Sequence, residues 1–157
     1  MKYTVKRKIY IVISAAAVVA VMAIIFMLSA QTATESSETS GSLIELIFSY
    51  LGKTFSQEQI RTFAHYCEYA GFGFLVCNLF YSLTLKLKSV ISIILAWCYA
   101  WSDEIHQLFV EGRAFQLSDL AVDLCGIITG VCFFYLIYLI IRNLSKSLKK
   151  ADDNKQM

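Results

Sequence analysis

Three short runs of this 157-residue chain place ionisable side chains at helical spacing. Arg61, His65, Glu68 and Phe72 fall at i, i+4, i+7 and i+11, one stripe of an α-helix. Asp119, Asp123, Gly126 and Gly130 repeat that spacing. Asp103, His106 and Gln107 share a third face with Val110, and Glu104 lies about 100° round, beside Gln107. These residue types support three kinds of chemistry. Guanidinium groups such as Arg61 and Arg113 grip phosphate or carboxylate. Carboxylates take amines, hydroxyls or cations, and carboxylates with imidazoles also move protons as general acids and bases.

Each residue has a plainer role when taken alone. His65 reads as a hydrogen-bonded packing histidine and Glu68 as a partner for Arg61. Asp103 and Glu104 read as interfacial charges near a helix end, and Asp119 as a helix N-terminal residue favoured by the macrodipole. Gly126 and Gly130 form a GxxxG, which ordinarily means close helix packing. What these readings leave unexplained is the matched depth of three acidic stripes. Glu68 is about 10 Å in from Arg61 at 1.5 Å per residue, and Asp103 is about as far in from Val110. The expectation is one shared polar site.

Its charge is unbalanced. Glu68, Asp103, Glu104, Asp119 and Asp123 oppose Arg61 and Arg113, a surplus of three negative charges with both histidines neutral. In a low dielectric this surplus demands shared protons, charged histidines or a bound cation. The donors would suit zinc or a hard divalent ion, but no HExxH-like pair points to one. No cofactor is expected.

The elements that position these residues follow from composition. Hydrophobic residues make up 57% and charged residues 17%, with mean hydropathy +0.59. A soluble domain carries roughly 25% charge, so a soluble single core, disorder and low complexity are all disfavoured. Proline is absent, so helices should run unbroken. The five cysteines lie in apolar stretches without a CxxC pair and read as inert buried thiols rather than a disulfide framework.

Four spans are predicted, at approximately 9–28, 62–85, 90–110 and 118–141, within a single membrane domain over 1–157. Roughly 20 apolar residues cross a hydrocarbon core. The first span is longer than a signal-peptide core and reads as an uncleaved anchor. Residues 43–51 are too short to span and would lie in the interface or on the bundle. Ser56 with Gln59 matches a capping box, which starts a helix near Gln57.

Of the fourteen Lys and Arg residues, eleven fall on one side: four before the first span, Lys86 and Lys88, and five in the basic tail 142–157. Lys53, Arg61 and Arg113 fall on the other. The expectation is an all-α bundle of four transmembrane helices with both termini cytoplasmic.

At these residues the sequence resembles the VanZ-like family of small bacterial membrane proteins. FMLSAQTATESS (26–37) is similar to the family's FSSQ-type stretch with its Ser-rich tail. RTFAHYCEYAGFGFL (61–75) resembles its R-x-x-x-H-x-x-E-Y helix. SDEIHQLFVEGRAFQLSDLAVDLCGIITG (102–130) resembles its D-E-x-x-Q-x-F-x-x-G-R and D-x-x-x-D/N-x-x-G signature. Together the motifs cover most of residues 24–131. Glu111 departs from the pattern, standing where many relatives have Pro, and implies a looser turn. The resemblance implies a place in the bacterial cell envelope and a part in glycopeptide (teicoplanin-type) resistance. It supplies no established reaction. The family's characteristic residues map to Arg61, His65, Glu68, Asp103, Glu104, Gln107, Arg113, Asp119 and Asp123.

Three functions compete. The first is recognition of an amphiphile at the outer face: an envelope lipid, a cell-wall precursor or a lipophilic antibiotic. The second is a membrane-embedded enzyme, with Glu68 or Glu104 as base and a histidine as acid or ligand, acting on a lipid-linked substrate. The third is a proton or ion pathway, which the apolar character of spans one and four towards the cytoplasm makes weakest. Nucleic-acid binding is not suggested, since the tail's basic residues already serve orientation.

Overall fold

Short polar caps start the helices. The computed structural model describes residues 4–32, 35 and 56–155. The Thr4 hydroxyl accepts the Arg7 N–H and opens α1, Val5–Ser29. Ser56 opens α2, Gln57–Thr84, through a complete capping box with Gln59, which satisfies two otherwise orphaned donors. Then come α3, Ser89–Gln107, and α4, Leu117–Lys155. The described residues are all-α. The segment 43–51 lies outside them.

Two boundaries differ from expectation. α3 ends at Gln107 rather than 110, because the chain tightens there. The N–H groups of Leu108, Phe109 and Val110 each bond the carbonyl three residues back, a 3₁₀-type closure. Gly112 follows at φ 73°, where a Cβ would be strained, and the Arg113 N–H closes the turn on the Val110 carbonyl at 3.1 Å. Glu111 stands at the second position of this hydrogen-bonded turn. α4 does not stop at 141 but continues through the basic tail, 39 residues or roughly 58 Å at 1.5 Å per residue.

α2 is the central helix and makes its largest interface with α4. Glycines set that distance: a Cβ on Gly126 would stand 2.5 Å from the Tyr66 carbonyl oxygen, and one on Gly73 2.6 Å from that of Ile127. Gly130 meets the Ala70 backbone still more closely. Tyr69, Phe72, Val76, Ala96, Ala100, Leu120 and Ile127 fill the core, with Val18 and Ile25 of α1 against them.

α1 is tied to α2 by polar bonds at the end away from the ionisable stripes. Arg7 donates Nε–H to the Ser82 carbonyl (3.0 Å) and Nη2–H to that of Leu83 (2.8 Å). These are last-turn carbonyls that a helix leaves without intrahelical partners. Asn78 accepts from the Tyr10 hydroxyl and donates to Ser14 Oγ at 3.0 Å.

The distribution of polarity is inverted relative to a water-soluble domain. Val12, Ile13, Val19, Phe133, Leu136 and Ile140 face outward, while Ser14, Ser92, Asp103, Glu104, Asp119 and Asp123 are buried. Among the described residues two helices are long and apolar enough to cross a membrane, α1 and 117–148 of α4. The expectation of buried thiols fails for four of five: Cys77 is buried, whereas Cys67, Cys98, Cys125 and Cys132 lie on outward faces. Apolar sequence around a cysteine does not distinguish core from periphery when the periphery is apolar too.

Candidate functional site

The ionisable stripes of α2, α3 and α4 meet at the end of the bundle where α1 finishes. On α2, His65 Nδ1 donates to Asp123 Oδ1 of α4 at 3.2 Å. One turn outward, Arg61 Nη2 lies 3.2 Å from Asp119 Oδ2. That pair is ionic without hydrogen-bond alignment, since Asp119 Oδ2 and Arg61 Nε have no hydrogen-bond partner. The i, i+4 repeats on both helices produce these two parallel contacts, and the glycines of α4 permit the close approach.

α3 brings the next pair of carboxylates. Asp103 Oδ2 accepts from the Tyr69 hydroxyl at 3.1 Å. Glu104 Oε1 accepts the Gln116 N–H, at the N-terminus of α4, where a carboxylate meets an exposed backbone donor and the positive end of the helix dipole. Among the described residues their second oxygens, Asp103 Oδ1 and Glu104 Oε2, have no hydrogen-bond partner, and neither does Gln107 Nε2. Glu104, Gln107 and Asp123 are each 1% exposed, Asp103 4% and Asp119 5%. Groups so fully removed from water are ordinarily hydrogen-bonded, and exceptions need a reason.

The rim is more open. Glu68 is half-buried, makes no hydrogen bond or ion pair among the described residues, and interacts through space with His65, Asp103, Asp123 and Arg113. Arg113, in the connection after α3, donates Nε–H to the Gln31 carbonyl beyond α1 at 3.3 Å. Burial, with the like charge of Arg61 beside it, holds its guanidinium below the ordinary arginine range. His106 is turned towards α1, stacked on Phe26 with ring centroids 4.6 Å apart.

The ten ionisable and polar residues singled out by spacing thus fall in one region, with different contacts. His65 and Arg61 touch α4 directly, Asp103 is held by α2, and Glu104 by the chain entering α4. Glu68 makes no hydrogen bond or ion pair with them among the described residues, and His106 packs on α1. Among the described residues no three His, Cys, Asp or Glu side chains are arranged to hold a metal ion. Tyr69 was not among the expected residues. It stands four after His65, so the same i, i+4 rule that joined Arg61 to His65 marks it. The Gln31 and Gln116 backbone groups carried no sequence signal.

None of the curated proteins and none of the solved structures compared matches the chain. The family model VanZ/LLP1 does, over residues 14–141, a stretch that takes in all three ionisable stripes and the glycine seam. On the extent of that match, the chain belongs to the VanZ/LLP1 family.

Proposed function

We propose that the protein spans the bacterial cell membrane as four helices with both termini cytoplasmic, and that the polar site at the outer end of the bundle recognises the head group of an amphiphile. The observation carrying this reading is the buried cluster itself. Three helices converge carboxylates and an imidazole behind a rim of two arginines, inside a bundle whose outward surface is apolar. Arg61 and Arg113 take the anionic part of the head group, and the outward Ile, Leu and Phe side chains leave its chains in lipid. The fourteen basic residues, eleven of them at the other end, support the orientation. The ligand is an envelope lipid, a cell-wall precursor or a lipophilic antibiotic, and the family relationship extends the reading to teicoplanin-type resistance.

Native mass spectrometry of the protein in mild detergent tests this reading. A retained phospholipid-sized adduct that disappears when Arg61 and Arg113 are both replaced by Gln supports it. An adduct-free protein refutes it. Teicoplanin susceptibility of a host expressing the chain, with and without those replacements, tests the resistance role.

A second reading has one observation in its favour. Asp123 engages His65 through Nδ1, leaving Nε2 without a hydrogen bond among the described residues and so able to exchange a proton. This is the arrangement of a general base oriented by a carboxylate, as an enzyme acting on a lipid-linked substrate would need. Turnover of a lipid-linked substrate that is lost in Asp123→Asn would establish it.

A further inference from the structure

From the unpaired atoms of the cluster we infer that the head group carries a protonated amine with N–H donors, which docks against Asp103 and Glu104. The inference rests on the amphiphile reading above and names the chemical class that the site selects. It stands on three observations.

The first is which atoms lack partners. Asp103 Oδ1 and Glu104 Oε2 are carboxylate oxygens of nearly fully buried residues, and neither has a hydrogen-bond partner among the described residues, whereas Asp119 Oδ2 already faces Arg61 Nη2 at 3.2 Å. The first two each need a donor. The aligned donors of the cluster bond other oxygens: the Tyr69 hydroxyl Asp103 Oδ2, the Gln116 N–H Glu104 Oε1, and His65 Nδ1 Asp123 Oδ1. The Ser29 hydroxyl stands beside Asp103 without an aligned hydrogen bond, and the Gln107 amide nitrogen, Arg61 Nε and His106 Nε2 are likewise unpaired among the described residues, so no described donor completes a hydrogen bond to these two oxygens. The second observation is charge. Five carboxylates face two guanidinium groups and two histidines, so a cationic occupant lowers the imbalance and a neutral polyol does not. The third is geometry. No three acidic or imidazole side chains among the described residues converge as a metal site. A cation on a flexible arm, able to share its N–H groups between separated oxygens, fits this spacing better than a point ion.

The rim completes the head group. Arg113 interacts through space with Arg61 on one side and with Asp103, Asp119 and Glu104 on the other. Among the described residues its one hydrogen bond is from Nε–H to the Gln31 carbonyl. A phosphate at the two guanidinium groups with an amine a few bonds further on therefore spans the site from rim to interior. This is an aminoalkyl phosphodiester, zwitterionic overall.

The experiment uses the full chain in a detergent without sugar or amine groups, titrated with four dihexanoyl lipids that differ only beyond the phosphate. These are phosphatidylethanolamine, phosphatidylcholine, phosphatidylglycerol and phosphatidic acid, with binding read by tryptophan fluorescence. The expected result is at least tenfold tighter binding of phosphatidylethanolamine than of the other three. Asp103→Asn and Glu104→Gln should each remove that preference while phosphatidic acid still binds, which shows the variants to be folded. Both substitutions keep an acceptor for Tyr69 or Gln116. Equal binding of phosphatidylcholine overturns the inference, because charge without N–H donors then suffices. Tighter binding of phosphatidylglycerol makes the site one for hydroxyls, and equal binding of phosphatidic acid makes it one for phosphate alone. Either overturns the inference and leaves amphiphile recognition standing. A preference that survives both substitutions also overturns it, since the amine then docks elsewhere. If none of the four lipids binds, the amphiphile reading falls as well.

Discussion

Replacing Gly126 by Ala adds one methyl group at the seam between α2 and α4, and the structure sets its consequence. The new Cβ would stand 2.5 Å from the Tyr66 carbonyl oxygen and 3.1 Å from the Ala70 nitrogen, against about 3.4 Å for ordinary contact. The deficit of about 0.9 Å is against backbone, which cannot rotate away, so the helices must part. Overpacking of this kind costs about 1–3 kcal/mol. It is partly offset, because Ala is favoured over Gly within a helix by about 1 kcal/mol. Gly71 supplies the control. It lies in the same helix as Gly73, and a Cβ there would meet nothing within 4 Å, so Gly71→Ala collects the helix-propensity gain alone.

The two substitutions should therefore have opposite signs. Gly71→Ala is expected to raise stability by up to about 1 kcal/mol. Gly126→Ala should lower it, and Gly130→Ala should lower it more, since Gly130 meets the Ala70 backbone more closely than Gly126 meets that of Tyr66. After the propensity offset a net loss of up to about 2 kcal/mol remains, which at the scaling of soluble chains of similar length moves the midpoint down by up to about 6 °C. Thermal unfolding in detergent, followed by far-UV circular dichroism, measures this. The site should respond as well. Asp123 is one turn from Gly126, and a 0.9 Å separation would stretch the 3.2 Å His65–Asp123 bond beyond hydrogen-bonding range. If Gly126→Ala and Gly130→Ala are as stable as Gly71→Ala, α2 and α4 are not in backbone contact and the positioning of His65 against Asp123 is wrong.

Three further outcomes are expected. Reporter fusions after Asn143 should be active in the cytoplasm and fusions near Thr39 outside it; the reverse pattern would refute the orientation and place the polar site on the inner face. Arg7→Leu removes the donors to the Ser82 and Leu83 carbonyls and should destabilise the protein by about 1–3 kcal/mol. Arg7→Lys keeps the positive charge but not the fork, so it should recover only part of the stability in the same melts. Glu68→Gln and Asp123→Asn should leave the protein inserted at normal levels and abolish its cellular phenotype; full activity in both would reduce those carboxylates to packing residues.

The helices were legible because their signals are local. Apolar length marks α1 and most of α4, and the pair Ser56 and Gln59 marks the start of α2 through bonds confined to four residues. Helix ends were less legible. Nothing in L-F-V announces the 3₁₀-type closure after Gln107, and the basic residues that argue for orientation also conceal the continuation of α4 to Lys155. Within the site, a period of 3.6 says which residues share a face and, with depth, which faces can meet. It does not say which oxygen finds a donor. The Gln116 N–H on Glu104 and the Gln31 carbonyl under Arg113 are backbone groups brought in by loop geometry, and no side-chain pattern encodes them.

The two ends of the bundle make a physical contrast. Away from the ionisable stripes, α1 and α2 are joined by Arg7, Tyr10, Ser14 and Asn78, whose donors meet carbonyl, amide and hydroxyl acceptors. The middle is held by glycines that bring backbones together without polar groups. Both devices suffice to assemble helices. The third region does not serve assembly in the same way. Buried ion pairs are often no more stabilising than apolar side chains of similar volume, and a buried polar atom without a partner is a net loss. Here Asp103 and Glu104 each leave an oxygen unpaired among the described residues, and Asp119 meets Arg61 without hydrogen-bond alignment. Stability alone would favour Asn, Gln or an apolar residue at those positions. Retaining Asp103 and Glu104 there is intelligible if the missing donors arrive on another molecule, which then docks at those oxygens rather than along the apolar exterior.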